Sequence, residues 1–179
     1  AVGGAVAISG GGSRHGDGGV VVLAGGDVAE GFGGDVLVHS GEAIEGSSGN
    51  LVVKSSKSSH KSGEMLLATG SASAGDVGRF LIEAGNGTVG VGGDIIVQSG
   101  ASIASAGGSL VFNAGNSVGD FGGSVGIASG GGDRSGSVQI STGVSEHAYG
   151  GSISIDVGPA IGELAGAVSI SSGSIVGPD

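Results

Sequence analysis

The sequence predicts an all-β chain, a β-solenoid of about twelve fifteen-residue repeats. Three observations predict it. Glycine recurs at fixed positions, aliphatic residues fill the columns between the glycines, and no stretch has a helical period or a helix cap.

From Gly3 the chain divides into twelve repeats, ten of fifteen residues, one of fourteen and one of thirteen. The second position of every repeat is glycine, from Gly4 and Gly19 to Gly151 and Gly166. The ninth is glycine in all but one, where Ser56 stands. Lacking Cβ, glycine accepts the turns and close backbone approaches that end a strand.

Between the glycines lie two apolar columns. The fourth position runs through Val6, Val21, Val36, Leu51, Met65 and Phe80 to Val168, and the sixth through Ile8, Leu23, Val38 and Val53 to Ile170. A spacing of two with β-branched residues predicts a strand with one buried face. The eighth position is small almost throughout, as at Gly10, Ser40, Ala84 and Thr142. Positions ten to fifteen form a return segment, where Ile44, Ile103, Val118, Ile161 and Val176 predict a weaker core contact. Repeats this short cannot bury an apolar face alone, so they are expected to stack.

A longer period overlies the short one. Ile44 and Ile103 are 59 residues apart and Ile161 follows 58 later, with Phe32, Val91 and Tyr149 in the same step. Three arrangements satisfy the pattern. They are a plain solenoid, a solenoid of three coils with four strands per coil, and a β-prism-like three-fold body. In each, residues 3–179 form a single tandem-repeat domain, with super-repeats of about 59 residues. Because the chain enters the repeat at once and neither end carries a polar cap, it is expected to be a segment of a longer polypeptide.

The fifth position lies between the two core columns and should be polar. It instead reads Ala7, Val22, Leu37, Val52, Leu66, Leu81, Ile96 and Val111, then changes to Gly126, Gln139, Ser154 and Ser169. An eight-repeat apolar stripe exceeds what a soluble monomer usually exposes. Either these strands lie between two layers of the same chain, or Val22, Leu37, Val52, Leu66, Leu81, Ile96 and Val111 form a lateral interface with another chain.

Composition removes several classes. A flexible Gly/Ser linker does not fit 38% hydrophobic residues and a mean hydropathy of +0.37. Collagen is excluded by the lack of a three-residue glycine period and by only two prolines. The absence of Cys removes disulfides and thiolate metal sites. A net charge of −10, with six Lys and Arg, opposes binding to nucleic acid. The longest aliphatic run, Val20 to Ala24, is too short to cross a bilayer. The chain does not open on a basic segment followed by an apolar one, so no signal peptide is read at its start.

Motifs of chemistry fail their context tests. Gly115–Gly119 and Gly122–Gly126 match GxSxG, but no helix pattern follows either. Gly85–Gly90 matches GxGxxG and runs into a further strand pattern instead of a helix. The Gly-Asp pairs at Asp27, Asp35, Asp76, Asp94, Asp120 and Asp133 lack a nine-residue calcium register and read as turn residues bonding their own backbone. His15, His39, His60 and His147 have no metal-ligand spacing. Lys54, Lys57, Lys61 and His60 gather in the fourth repeat and read as a solvated loop that disfavours wrong edge pairing, ahead of an anion site. Asn86-Gly87-Thr88 is an N-glycosylation sequon, which makes Asn86 a candidate acceptor in an extracellular chain. Thr69, Thr88 and Thr142 are too few for a regular ice-binding array. No catalytic residue, metal ligand or cofactor site is assigned, and an enzyme is not expected.

Runs such as GGSLVFNAGNSVGDFGGSVGIASG, residues 107–130, resemble the Gly/Ser-rich tandem repeats of very large extracellular or cell-surface proteins of heterokont algae and related protists. The resemblance spans the chain and rests on composition and a GGxhxhxSG rhythm. It implies a fibrous, surface or wall-associated role without catalytic residues. The apolar fifth position departs from the commonest, serine-rich version.

The functional expectation is therefore a structural repeat segment of an extracellular fibrous assembly, self-associating through the apolar stripe and uncapped ends. Its partners would be other copies or neighbouring repeats, without nucleic acid or membrane insertion. The alternative is a monomeric β module binding a glycan or other ligand, with an ice- or calcium-binding repeat protein as a distant third.

Overall fold

The computed structural model describes residues 2–162 and 164–174. It divides the chain into two parts, Ala1–Gly85 and Asn86–Asp179. Among the described residues there is neither helix nor β-strand. This corrects the expected fold class: the β-solenoid, the three-coil solenoid with four strands per coil and the β-prism-like body are all absent. The chain is instead an irregular coil that repeats one local feature.

That feature is a closed loop. Within each repeat the chain runs from the second position to the ninth without a sharp bend, then bends around positions twelve to fourteen. In the first part these bends fall at residues 14–16, 29–31, 44–46, 59–60 and 73–75. In the second part they fall at 88–90, 103–105, 118–120, 132–134, 146–148 and 161–162. A backbone hydrogen bond can then close the neck of the loop. In the first part the amides of Gly19, Gly34 and Gly49 donate to the carbonyls of Gly11, Gly26 and Gly41 at 2.8, 2.9 and 3.0 Å. In the second, Gly108, Gly123 and Gly136 donate to Gly100, Gly115 and Gly130 at 2.9, 2.9 and 3.0 Å. The glycines of the ninth and second columns are thus partners, and among the described residues backbone pairs with backbone at these necks alone.

The thirteen-residue repeat shows that this partnership outranks the fifteen-residue period. Its missing residues fall between Gly130 and Gly136, yet the same neck bond forms at 3.0 Å.

Two devices shape the bend. Gly16, Gly31, Gly46 and Gly75, all at position fourteen, have φ between 113° and 121°, where a Cβ is strained. In three repeats whose fourteenth residue is not glycine, the seventh, eighth and tenth, a serine at position eleven takes over. Ser102 accepts the amide of Ser105 at 3.0 Å, Ser117 that of Asp120 at 3.0 Å and Ser145 that of Ala148 at 3.2 Å. A side-chain oxygen replaces a backbone acceptor, as serine does in turns.

The eighth column packs at the same neck. Gly25, Ser40, Ala84, Ser99 and Ala114 are half-buried, and every other residue with an assigned burial is exposed. A Cβ added at Gly49, Gly108, Gly123 or Gly136 would stand 3.3–3.4 Å from the Cβ of Ser40, Ser99, Ala114 or Ser129. At Gly10 and Gly25 it would run into the carbonyl of Gly19 or Gly34. The eighth residue is small because the next repeat's second glycine lies against it.

No hydrophobic core accompanies these necks. No described side chain is buried. The expected core columns face water, with Val36 of the fourth position 48% exposed and Leu23 of the sixth 73%. The return-segment residues Ile44, Ile103, Val118 and Ile161 are fully exposed, so they form no second core contact; Val176 lies outside the described residues. The physical reason is in the pattern. In the first eight repeats positions four, five and six are all apolar, so the run has no polar face and would need cover on both sides. In the last four the alternation is present, but among the described residues no neighbouring run pairs with it. One chain with a quarter glycine supplies no second layer, and glycine loses more backbone freedom on ordering than any other residue.

Candidate functional site

The apolar residues at positions three to six lie in the straight runs between loops. Among them the fifth-position residues Val22, Leu37, Val52, Leu66, Leu81, Ile96 and Val111 range from 58% exposed at Leu81 to 83% at Ile96. They are exposed, not sandwiched between two layers, since no sheet forms among the described residues. Val22, Leu37, Val52, Leu66 and Leu81 belong to the first part, and Ile96 and Val111 to the second.

The motifs that looked like chemistry are occupied by loop closure. Gly115 of the GNSVG match accepts the neck bond from Gly123, and its Ser117 hydroxyl is held on the amide of Asp120. The Asp120 carboxylate in turn accepts the amide of Phe121 at 2.8 Å. In the GNGTVG match a Cβ at Gly87 would lie 2.6 Å from the carbonyl oxygen of Gly90, so the loop itself requires glycine there. Ser154 donates to the Asp156 carboxylate at 2.5 Å. The oxygens of Ser117, Asp120 and Asp156 thus act in local bonds.

Asn86 is exposed and stands just before the bend at residues 88–90. In the lysine-bearing loop, His60 takes a hydrogen bond from Ser59 or gives one to it at 3.1 Å, and its amide donates to Ser58 at 3.2 Å. Lys54, Lys57 and Lys61 are all exposed.

Among the described residues there is no cavity. Three or more His, Asp or Glu side chains do not gather there around a common point for an ion. No described helix is long and apolar enough to cross a membrane. The arrangement offers surface and no enclosed chemistry. No family model matches the chain, and neither a curated protein nor a solved structure matches it.

The stripe residues and Asn86, named from the sequence, are exposed. Sequence reasoning passed over the eleventh-position serines Ser102, Ser117 and Ser145, which stand in repeats without a fourteenth-position glycine. It also read the lysine loop by composition alone. Aligned by repeat, that loop carries Lys57 and His60 at the positions that are acidic in the two preceding repeats.

Proposed function

We propose that this segment is a structural repeat of an extracellular fibrous assembly, whose copies cover one another's apolar runs through the fifth-position stripe. A single observation carries the reading: 38% of the chain is hydrophobic, yet no described side chain is buried.

Physical chemistry makes such a surface costly. Burying one Leu or Val stabilises by about 1.5–3 kcal/mol. Seven stripe residues then represent on the order of 10 kcal/mol or more of unused driving force, comparable with the cost of association. Exposed apolar area of this extent marks an interaction surface. The stripe becomes polar from Gly126 onward, which suits a segment with one associating stretch and one solvated stretch. The sequon at Asn86 and the resemblance to extracellular Gly/Ser-rich repeats support the location.

Sedimentation velocity over a concentration series tests the reading. Association that grows with concentration is expected, and a strictly monomeric chain at high concentration would overturn it.

A further inference from the structure

The fourth repeat reverses the charge of its loop. Positions ten and thirteen carry Asp27 and Glu30 in the second repeat and Glu42 and Glu45 in the third. In the fourth they carry Lys57 and His60, followed by Lys61 and preceded by Lys54. Three of the chain's six Lys and Arg residues therefore fall within eight residues of a chain of net charge −10. Glu30, Glu45 and His60 all sit on the sharp bend of their loops, at residues 29–31, 44–46 and 59–60. All of these side chains are exposed, and Lys57 and Lys61 flank the bend of the fourth loop, so acidic and basic side chains stand at or beside the bends of successive loops.

We propose that the lysine loop docks on the acidic third-repeat loop of a second copy, reciprocally, pairing two chains antiparallel about the straight run of the fourth repeat that joins the two loops. This rests on the self-association proposed above and adds its register. The occupant follows from charge. Chains of net charge −10 repel one another, and this loop is their one concentration of positive charge. Charge also chooses the alignment. In a parallel, unshifted pair, acid meets acid at the second and third repeats and base meets base at the fourth. A parallel shift of one repeat sets Lys57 and His60 against Glu42 and Glu45, but also sets Glu42 and Glu45 of one chain against Asp27 and Glu30 of the other. A parallel shift of two gives one attractive contact. The antiparallel pair gives two, and the second-repeat loop then meets Ser71, Ala74 and Asp76 of the fifth, so its like-charged approach is reduced to Asp27 against Asp76. A self-complementary patch of this kind generates a two-fold pair. The same alignment lays Leu37 of each stripe opposite Leu66 of the other and brings the two copies of Val52 together. The loop charges thus set partner and register, and the stripe supplies the driving force.

The test uses a charge swap in the full chain. K57E/K61E and E42K/E45K should each associate at least about tenfold more weakly than the native chain at low salt, since each opposes like charges twice. Their equimolar mixture should recover association, because every opposed pair is again complementary. The differences should shrink at 0.5 M salt, where exposed charges are screened. Carbodiimide cross-linking of mixed ¹⁴N- and ¹⁵N-labelled native chains should join Lys57 or Lys61 to Glu42 or Glu45 between chains. Cross-links to Asp27 or Glu30 instead would overturn the antiparallel register. Native association that persists undiminished in both variants would overturn the docking while leaving the stripe reading intact. A native chain that never associates removes both.

Discussion

Ser99 lies against Gly108, so closely that a Cβ added at Gly108 would stand 3.3 Å from the serine's own Cβ. One residue further on, the Gly108 amide donates to the Gly100 carbonyl at 2.9 Å. The pair shows how the six closed loops are held: two small residues pass each other, and the chain closes a loop behind them.

Gly108→Ala should open that loop. The added methyl is tighter than an ordinary contact, and the neighbour it meets is part of the neck. Losing one hydrogen bond of this kind costs about 1 kcal/mol, roughly a fivefold change in an equilibrium. Amide hydrogen exchange at position 108 should accelerate by about that factor, while Gly123, in the next loop, should keep its rate. Restoring two residues after Gly132 should leave Gly136 protected, since the neck pair tolerates either loop length.

The two bend devices should be interchangeable. Gly46→Ala places a side chain at φ 115° and should weaken its loop by about 1–2 kcal/mol. Ser102→Ala should cost about 1 kcal/mol by orphaning the Ser105 amide. Ser105→Gly added to Ser102→Ala should recover part of that loss. Backbone chemical shifts of residues 102–106 read all three.

A dilute monomer should show no cooperative unfolding. The urea dependence of stability scales with the surface exposed on unfolding, and here almost none is hidden. Far-UV circular dichroism should change gradually across a urea series. A sigmoidal transition that sharpens with protein concentration is expected only where chains associate.

Leu66→Lys with Leu81→Lys should abolish association and leave the loops unchanged. Each substitution removes about 1.5–3 kcal/mol of burial and adds a charge that would have to be desolvated. The dissociation constant should rise by at least about a hundredfold, read by sedimentation, while the neck amides of Gly34 and Gly108 keep their exchange rates. Equal association in the variant would remove the stripe from the interface.

Much of the local structure could be read from the residues. The columns at positions two, eight and nine were visible as glycine and small residues, and each proves to be a contact at the neck. The strands were not legible in the same way. Val36 and Val38 have the spacing of a half-buried strand, but Leu37 between them is equally apolar. Alternation was absent where the strand prediction needed it. The stripe was visible as a column, whereas its exposure followed only once no layer formed to cover it.

By itself, the sequence determined the rhythm of this protein: where each loop closes, which residues must be small, and where charge and apolar surface recur. These are decisions between near neighbours in the chain, governed by glycine's missing Cβ and serine's hydroxyl. The tertiary structure decided what the apolar columns do. A strand needs a partner at hydrogen-bonding distance and a layer against its face, and both are long-range properties that residue spacing does not contain. Among the described residues neither is met, and the same columns that predicted a core become surface.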